Sequence, residues 1–447
     1  MPIETLQADE HRFAIILGAG AAGIIQGCTF IREKTLPLEE FQILERQSAF
    51  GGVWWKNTYP GAACDIPSHE YQISFALNPY WSRTFAPQPE IQKYFEDVAL
   101  QYELHKSTTF NTEIVEAKWD DSRLLWLVET TDLTTGDTKL WSCHVLIGAL
   151  GAFTVPKKAP VKNVDAFKGE EWHSVDWPKN ANLRGKTVAV IGTGPSACQF
   201  IPNIYPEIKD DNLRRKLESK DVFGCKRPLM LSDYYPIFNN DNVELVTDSV
   251  TELTENGIKS RNTDTGEEME RETDVLIWGT GYNPVDFGLP VPTKGRSGQL
   301  LCDKYQPELF SLYGVAVDDF PNYFNFLGPN SSSFETSVME LFELQAHHNS
   351  IATEYLFQKN VGTFRYAIMP KEERVRSWTL SLRPGQAKLP PANPNCKSYY
   401  RSKIGHVYRY PYPYWQYKAL IAKLDFKRDW VLLQQRIGQK EVKVLEF

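Results

Sequence analysis

The spacing of apolar positions along this chain changes several times, and each change marks an element. Residues 13 to 17, FAIIL, are a continuous apolar run of the kind found in a strand buried on both faces. GAGAAG follows at once, and IIQGCTFIREK then has the pattern of a helix. FQILE at 41 to 45 restores the strand pattern, so this stretch predicts strand, glycine turn, helix and strand, a βαβ unit. Residues 91 to 104 have the spacing of an amphipathic helix. Residues 110 to 147 predict antiparallel strands, with polar turns at DDS and TTGD, ending in the apolar VLIGALG. KTVAVIGTGPSA at 186 to 197 restarts the opening pattern, and DVLIWGTGY at 274 to 282 echoes VLIGALG. LRPGQAKLPPANPN at 382 to 395 predicts a loop, and the tail from YPYPYW to DWVLLQQR reads as aromatic and then helical.

Two such units in 447 residues predict an α/β chain of two dinucleotide-binding, Rossmann-like domains, the second inserted in the first and shortened. The first domain takes residues 1–152 and 284–447, and the second takes residues 153–283. A chain that is 42% hydrophobic and 13% aromatic can bury large cores. Its net charge of -7 argues against a nucleic-acid partner, because phosphates call for a basic surface. The N-terminus has no basic stretch followed by an apolar one. The longest apolar run, Phe13 to Cys28, is too short for a bilayer and is interrupted by glycines and Gln26, so no membrane span is expected. Seven Cys without a C-x-x-C pair predict reduced thiols and a cytoplasmic location.

The chemistry starts at the glycines. Gly18, Gly20 and Gly23 form G-x-G-x-x-G between a strand and a helix. The first glycine permits the tight turn, the second lets the backbone approach a pyrophosphate, and the third lets helix and strand pack closely. The helix N-terminus offers amide groups and partial positive charge to phosphates. Glu45 ends the next strand, where a carboxylate can bond ribose hydroxyls. Gly192, Gly194 and Ala197 repeat the fingerprint, with alanine in the third place. Two fingerprints suggest two dinucleotides, most simply FAD and NAD(P)H. Two further stretches, GGVWWKNTYPGAACD at 51 to 65 and FKGEEWHSVDWP at 167 to 178, dictate no reaction by themselves. A histidine between two tryptophans is ordinarily a packed core residue.

Those two stretches carry a resemblance. Phe167, Gly169, His173, Trp177 and Pro178 match F-x-G-x-x-x-H-x-x-x-W-P, the pattern of type I Baeyer–Villiger monooxygenases among the class B flavoprotein monooxygenases. Residues 51 to 65 resemble the same family's G-G-x-W-x-x-x-x-Y-P-G-x-x-x-D, and GCKRPLMLSDYYPIFNNDNVELV at 224 to 246 is similar too. The strand ends GALG and GTGY match its A-T-G-like ends, departing at Leu150 and Gly279. The resemblance implies that Gly18, Gly20, Gly23 and Glu45 hold FAD. It implies that Val53, Trp54, Asp65 and Tyr71 line the flavin and that Ile114 meets adenine through its backbone. Gly192, Thr193, Gly194 and Ser196 are assigned to the NADPH pyrophosphate, and Lys226 to its 2′-phosphate. Arg227 becomes the catalytic arginine, Asp65 the residue that tunes it, and His173 part of the linker between domains. The implied reaction uses NADPH and O2 to insert oxygen next to a ketone carbonyl of a small molecule. The aromatic content and the divergent C-terminal third suggest a bulky apolar ketone of secondary metabolism as substrate.

The chain departs from this family in three places. Only 34 positions separate Gly192 from Lys226, where the family carries a much longer stretch with a second strand and a helical insertion. LRRK at 213 to 216 is a candidate replacement for the missing cation, against the ordinary reading as a solvated charged face. Tyr399 stands where a tryptophan usually packs on the nicotinamide ribose, and SSSFETSVMEL at 331 to 341 differs from the usual segment after Gly328 and Pro329. Alongside the monooxygenase, two alternatives stand. One is an FAD-binding enzyme that has lost efficient NADPH reduction and acts as an oxidase or in non-redox chemistry. The other is an inactive binding protein.

Overall fold

The computed structural model describes residues 8–201, 224–226, 234–282, 291–396 and 398–447. The first unit opens with β1 (Glu10–Leu17), whose last five residues are all buried, then α1 (Ala21–Arg32) and β2 (Phe41–Leu44). The short α2 (Val53–Lys56) and α3 (Gln88–Gln101) follow, then β3 (Thr108–Thr109), β4 (Thr112–Asp120), β5 (Leu125–Asp132) and β6 (Thr138–Gly148). The second unit contributes β7 (Glu170–His173), β8 (Val188–Ile191), α4 (Pro195–Phe200), β9 (Ser249–Thr254), β10 (Gly257–Arg261), β11 (Glu268–Glu272) and β12 (Val275–Trp278). The chain then returns with β13 (Thr293–Lys294), β14 (Tyr323–Asn325), α5 (Val338–Lys359), β15 (Phe364–Pro370), α6 (Glu372–Gln386), α7 (Tyr414–Ile421), β16 (Trp430–Arg436) and β17 (Val442–Glu446).

The central sheet runs β13-β4-β5-β6-β1-β2-β3, with β14 also paired to β6. β1 is parallel to both β2 and β6, the doubly wound arrangement that places glycine turns at the strands' C-terminal ends. β4, β5 and β6 are antiparallel to one another, as their sequence pattern predicts. One face is covered by α1, α3 and α5. Gln26 of α1 donates to Ser350 of α5 (3.2 Å) and accepts from Asn349 (3.1 Å). α5 is capped by Ser337, whose side chain accepts the amide of Met339. In the second unit β7 and β8 flank β12 in a parallel sheet, and β9, β10 and β11 form a separate antiparallel one. The architecture is thus α/β with two Rossmann-like cores, the second inserted between β6 and β13.

Three expectations need correction. DWVLLQQR is not helical: Trp430–Arg436 is the middle strand of the sheet β15-β16-β17, where Trp430, Leu432 and Leu433 are buried. Those apolar side chains pack better on a pleated sheet than along a helix. The helix α6 runs on to Gln386 through Pro384, which sits in its last turn and removes only one terminal hydrogen bond. Finally, the cysteines are not all reduced. Cys225 and Cys396 form a disulfide across 171 residues, while Cys28, Cys64, Cys143, Cys198 and Cys302 are unbridged. Among the described residues no helix is long and apolar enough to cross a membrane.

Candidate functional site

The first glycine turn is a cradle with no room for side chains. Gly18 has φ +104, and a Cβ there would lie 2.8 Å from the carbonyl oxygen of Ala149. A Cβ on Gly23 would lie 1.9 Å from the Gly18 oxygen, so helix and strand touch through bare backbone. The N-cap of α1 is Gly20, with no capping side chain and no acidic residue in the first turn, which leaves the helix terminus open to an anion. Gly52, at φ +56, closes over it: a Cβ there would lie 2.9 Å from the Gly20 Cα. The Gly51 amide donates to the Ala19 carbonyl at 3.0 Å.

Glu45, buried, directly follows β2 beneath this turn. Its carboxylate accepts the amides of Ala19 (2.6 Å) and Gln47 (2.7 Å). Burial pushes Glu45 up from the usual carboxylate range, and those two amides pull against it. Each oxygen keeps a further lone pair for a ribose hydroxyl. The Thr112 amide donates to the Glu45 carbonyl, so Ile114, buried two residues on in β4, belongs to the same rim. On the other side Val53 is exposed, and Trp54 donates its indole N–H to the Tyr71 hydroxyl at 3.0 Å with the rings edge to face. Gln92 donates to the Phe50 carbonyl (2.7 Å), while its buried Oε1 has no hydrogen-bond partner.

The second turn repeats the first with one exchange. Gly192 has φ +112, and a Cβ there would lie 2.4 Å from the Gly279 oxygen. Gly194 is the N-cap of α4. Thr193 is exposed and Ser196 half-buried. α4 docks on the loop of the first unit that leads to Asp65. Tyr59 donates its hydroxyl to Gln199 (2.9 Å), Gln199 donates to the Ala63 carbonyl (2.9 Å), and Tyr59 stacks edge-on against Phe200. Burial pushes the Tyr59 hydroxyl up, with Ser196 bonded beside it. The segment 167–178 also bridges the units. Asp176 pairs with Lys56 (2.8 Å), and His173 lies edge-on to Tyr282, whose hydroxyl donates to Asn57 (3.2 Å).

The structure therefore gathers Gly18, Gly20, Gly23, Glu45, Val53 and Ile114 around one cradle, joined through α2 to Trp54 and Tyr71. Gly192, Thr193, Gly194 and Ser196 gather at the second, next to the loop that carries the half-buried Asp65. Lys226 is exposed, immediately after the bridged Cys225. Arg227 lies outside the described residues, as does LRRK at 213–216. Sequence reasoning missed Tyr59, Gln199, Tyr282 and Gln92 as site-building residues. Tyr59 lay within the stretch 51–65, Tyr282 closed DVLIWGTGY and Gln92 stood in the expected helix 91–104, whereas Gln199 lay in none of the stretches singled out. The first cradle fits an adenine dinucleotide, with its side-chain-free turn, fixed carboxylate, open helix end and unpartnered Gln92 Oε1. The second fits a pyrophosphate at its turn. Among the described residues no strand pairs with β8 on the edge away from β12 to complete a ribose site, and no group of side chains could hold a metal ion.

Residues 15–289 match the pyridine nucleotide-disulphide oxidoreductase family. The chain is 85% identical to a protein named FAD-binding monooxygenase BOA2 from Botryotinia fuckeliana (strain B05.10), covering 100% of this chain and 99% of that one. That alignment has 524 positions against the 447 residues present here, so 77 of its positions have no counterpart in this chain. It is 28% identical to a Baeyer-Villiger monooxygenase of Streptomyces coelicolor, over 89% of this chain and 88% of that one. In fold it is similar to cyclohexanone monooxygenase from Rhodococcus sp. Phi1 bound to NADP+, with a TM-score of 0.79 over 98% of this chain and 100% of that one at 23% identity.

Proposed function

Since the chain belongs to the pyridine nucleotide-disulphide oxidoreductase family, and within it to the flavin-dependent monooxygenases of the Baeyer–Villiger type, we propose that it uses FAD, NADPH and O2 to insert oxygen next to the ketone carbonyl of a bulky apolar small molecule. The observation that carries this reading is the pair of side-chain-free cradles joined at Tyr59 and Gln199. FAD bound at the first cradle supplies electron storage and the activation of oxygen. The protein supplies the rest. Gly18, Gly20 and Gly23 leave the α1 terminus open to phosphates, and Glu45 accepts ribose hydroxyls. Trp54 and Tyr71, locked together by their hydrogen bond, keep water from the ring edge. Gly192, Thr193, Gly194 and Ser196 hold the second pyrophosphate, and Lys226 meets the 2′-phosphate. Arg227 stays charged at any working pH, so it stabilises the oxyanion that forms on the substrate carbonyl without surrendering a proton. One such donor contributes about 3 kcal/mol, a hundredfold or more in rate. Asp65 holds and tunes that arginine. The aromatic content and the divergent C-terminal third favour a bulky secondary metabolite as substrate.

The test is spectroscopic. The purified protein should be yellow, should bleach on adding NADPH without oxygen, and should convert a bulky ketone to the ester in air. A colourless protein that cannot take up FAD sinks the reading. The short stretch of 34 positions from Gly192 to Lys226 favours a second one, in which FAD is held but NADPH reduces it poorly and the pocket serves an oxidase or non-redox reaction. A yellow protein that stays oxidised with NADPH selects that alternative.

A further inference from the structure

Two glutamine side chains of α3 reach across to the loop that closes the first cradle. Gln92, buried, donates Nε2 to the Phe50 carbonyl at 2.7 Å. Gln88, one helical turn earlier, donates Nε2 to the Trp54 carbonyl. Positions i and i+4 lie on one face of a helix, and the two carbonyls they reach are also four residues apart. Between those carbonyls stand Gly51 (φ +116), Gly52 (φ +56) and Val53.

The oxygen end of Gln92 is placed just as closely. A Cβ built on Gly51 would lie 1.9 Å from Oε1, so this oxygen stands against the Gly51 Cα hydrogen, where a side chain would otherwise be. Among the described residues no N–H or O–H donor meets it. A buried amide oxygen without a donor lowers stability, and an apolar side chain of the same size would not. The rest of this face of α3 is largely apolar, with Ile91, Phe95, Val98 and Ala99 buried. An amide at position 92 is therefore explained by what it holds and not by packing.

What it holds needs support. Glycines lose more backbone freedom on ordering than any other residue, and here two are adjacent at positive φ. The Gly51 amide donates to the Ala19 carbonyl, and the Ala19 amide donates to Glu45, so loop, turn and carboxylate form one bonded series. α3 closes that series from the far side, and α3 is itself fixed. The Tyr94 hydroxyl donates to the Ala76 carbonyl (2.8 Å) and accepts the Ile73 amide (2.8 Å), and the Gln88 amide donates to the Ala62 carbonyl (2.8 Å).

We propose that Gln88 and Gln92 form an amide clamp that holds Gly51 and Gly52 over the α1 terminus, so that binding FAD does not also have to order this loop. Both are positioning residues, and the inference rests on the reading of the first cradle as the FAD site.

Release of FAD from diluted holoenzyme, followed by the rise of flavin fluorescence, tests the clamp. Gln92→Leu, apolar and close in size, removes both ends of the amide. FAD is expected to leave it at least tenfold faster than the wild type, while circular dichroism and the rate of flavin reduction at saturating FAD keep their wild-type values. Unchanged release overturns the proposal, and unchanged release from Gln88→Leu removes Gln88 from the clamp. If Gln92→Leu does not accumulate, Gln92→Met, unbranched and of the same length, is read in the same way. In Gln92→Glu the introduced carboxyl donates to the Phe50 carbonyl only while protonated. Its release rate relative to wild type at the same pH should therefore climb at least fivefold from about pH 5 to about pH 9. A ratio that stays at the Gln92→Leu level throughout marks a packing defect and overturns the clamp. A wild-type chain that takes up no FAD overturns the reading of the cradle itself, whereas tight wild-type binding matched by Gln92→Leu removes the clamp alone.

Discussion

Ala197 and Gly279 share a single space: a Cβ built on Gly279 would lie 3.0 Å from the Cβ of Ala197, where α4 crosses the end of β12. The first unit has the complementary pair, Gly23 on the helix and Ala149 after the strand. The departures of Ala197 and Gly279 from the usual pattern therefore compensate each other. Gly279→Ala should destabilise the second unit by about 1–3 kcal/mol, because the methyl on a helix backbone cannot step aside. Adding Ala197→Gly should recover most of that loss. A double-mutant cycle by thermal unfolding reads the coupling, and additive losses would show that the two positions are independent.

Gly52→Ala tests the first cradle. The substitution places a side chain at φ +56 and 2.9 Å from the Gly20 backbone, so the loop must lift off the α1 terminus. FAD affinity, measured by flavin fluorescence, should weaken at least tenfold. Retained affinity would remove Gly52 from the cofactor cradle.

Arg227→Ala should keep FAD and its reduction by NADPH while oxygenation falls a hundredfold or more, as expected for loss of one oxyanion donor. Rapid reduction kinetics and product yield are measured on the same preparation. Unchanged product formation would refute the assigned role.

Acid should weaken the fold through two histidines. Burial, with smaller effects from His11 and Arg365, pushes His144 down to about 3, and burial pushes His348 down to about 4. The unfolded chain takes up these protons near pH 6.5, but the folded chain does not. Their contribution is therefore complete above that pH and is lost as pH falls, at about 1.4 kcal/mol per pH unit for each group. His347 works the other way. The hydrogen bond it donates to the Glu33 carboxylate raises it, so its contribution is present below pH 6.5 and fades above, and its partial exposure keeps that effect small. Unfolding temperature measured from pH 7 to pH 4 should fall, and His144→Phe, which can stack on Phe13 as His144 does, should flatten the slope. An equally steep fall in that variant would exclude His144 as a source.

The local patterns of the sequence proved readable where they are local physics. FAIIL before GAGAAG specifies a buried strand and a tight turn without reference to the rest of the chain, and Gly18 has the positive φ that this turn demands. Contacts set by distant partners were not readable in the same way. WVLL becomes a strand only because β15 and β17 lie on either side of it. Cys225 finds Cys396 across 171 residues, which no spacing rule announces. Tyr59 and Gln199 belong to different units, and neither has a pattern that names the other.

β14 bears on how the protein is made. Tyr323, Phe324 and Asn325 pair with Leu146, Ile147 and Gly148 of β6, so the founding sheet waits for a piece that emerges from the ribosome some 175 codons later. At about 5–20 residues per second that interval is on the order of ten seconds or more, during which an apolar strand edge stands bare to chaperones and to other nascent chains. A shorter inserted unit means a shorter wait.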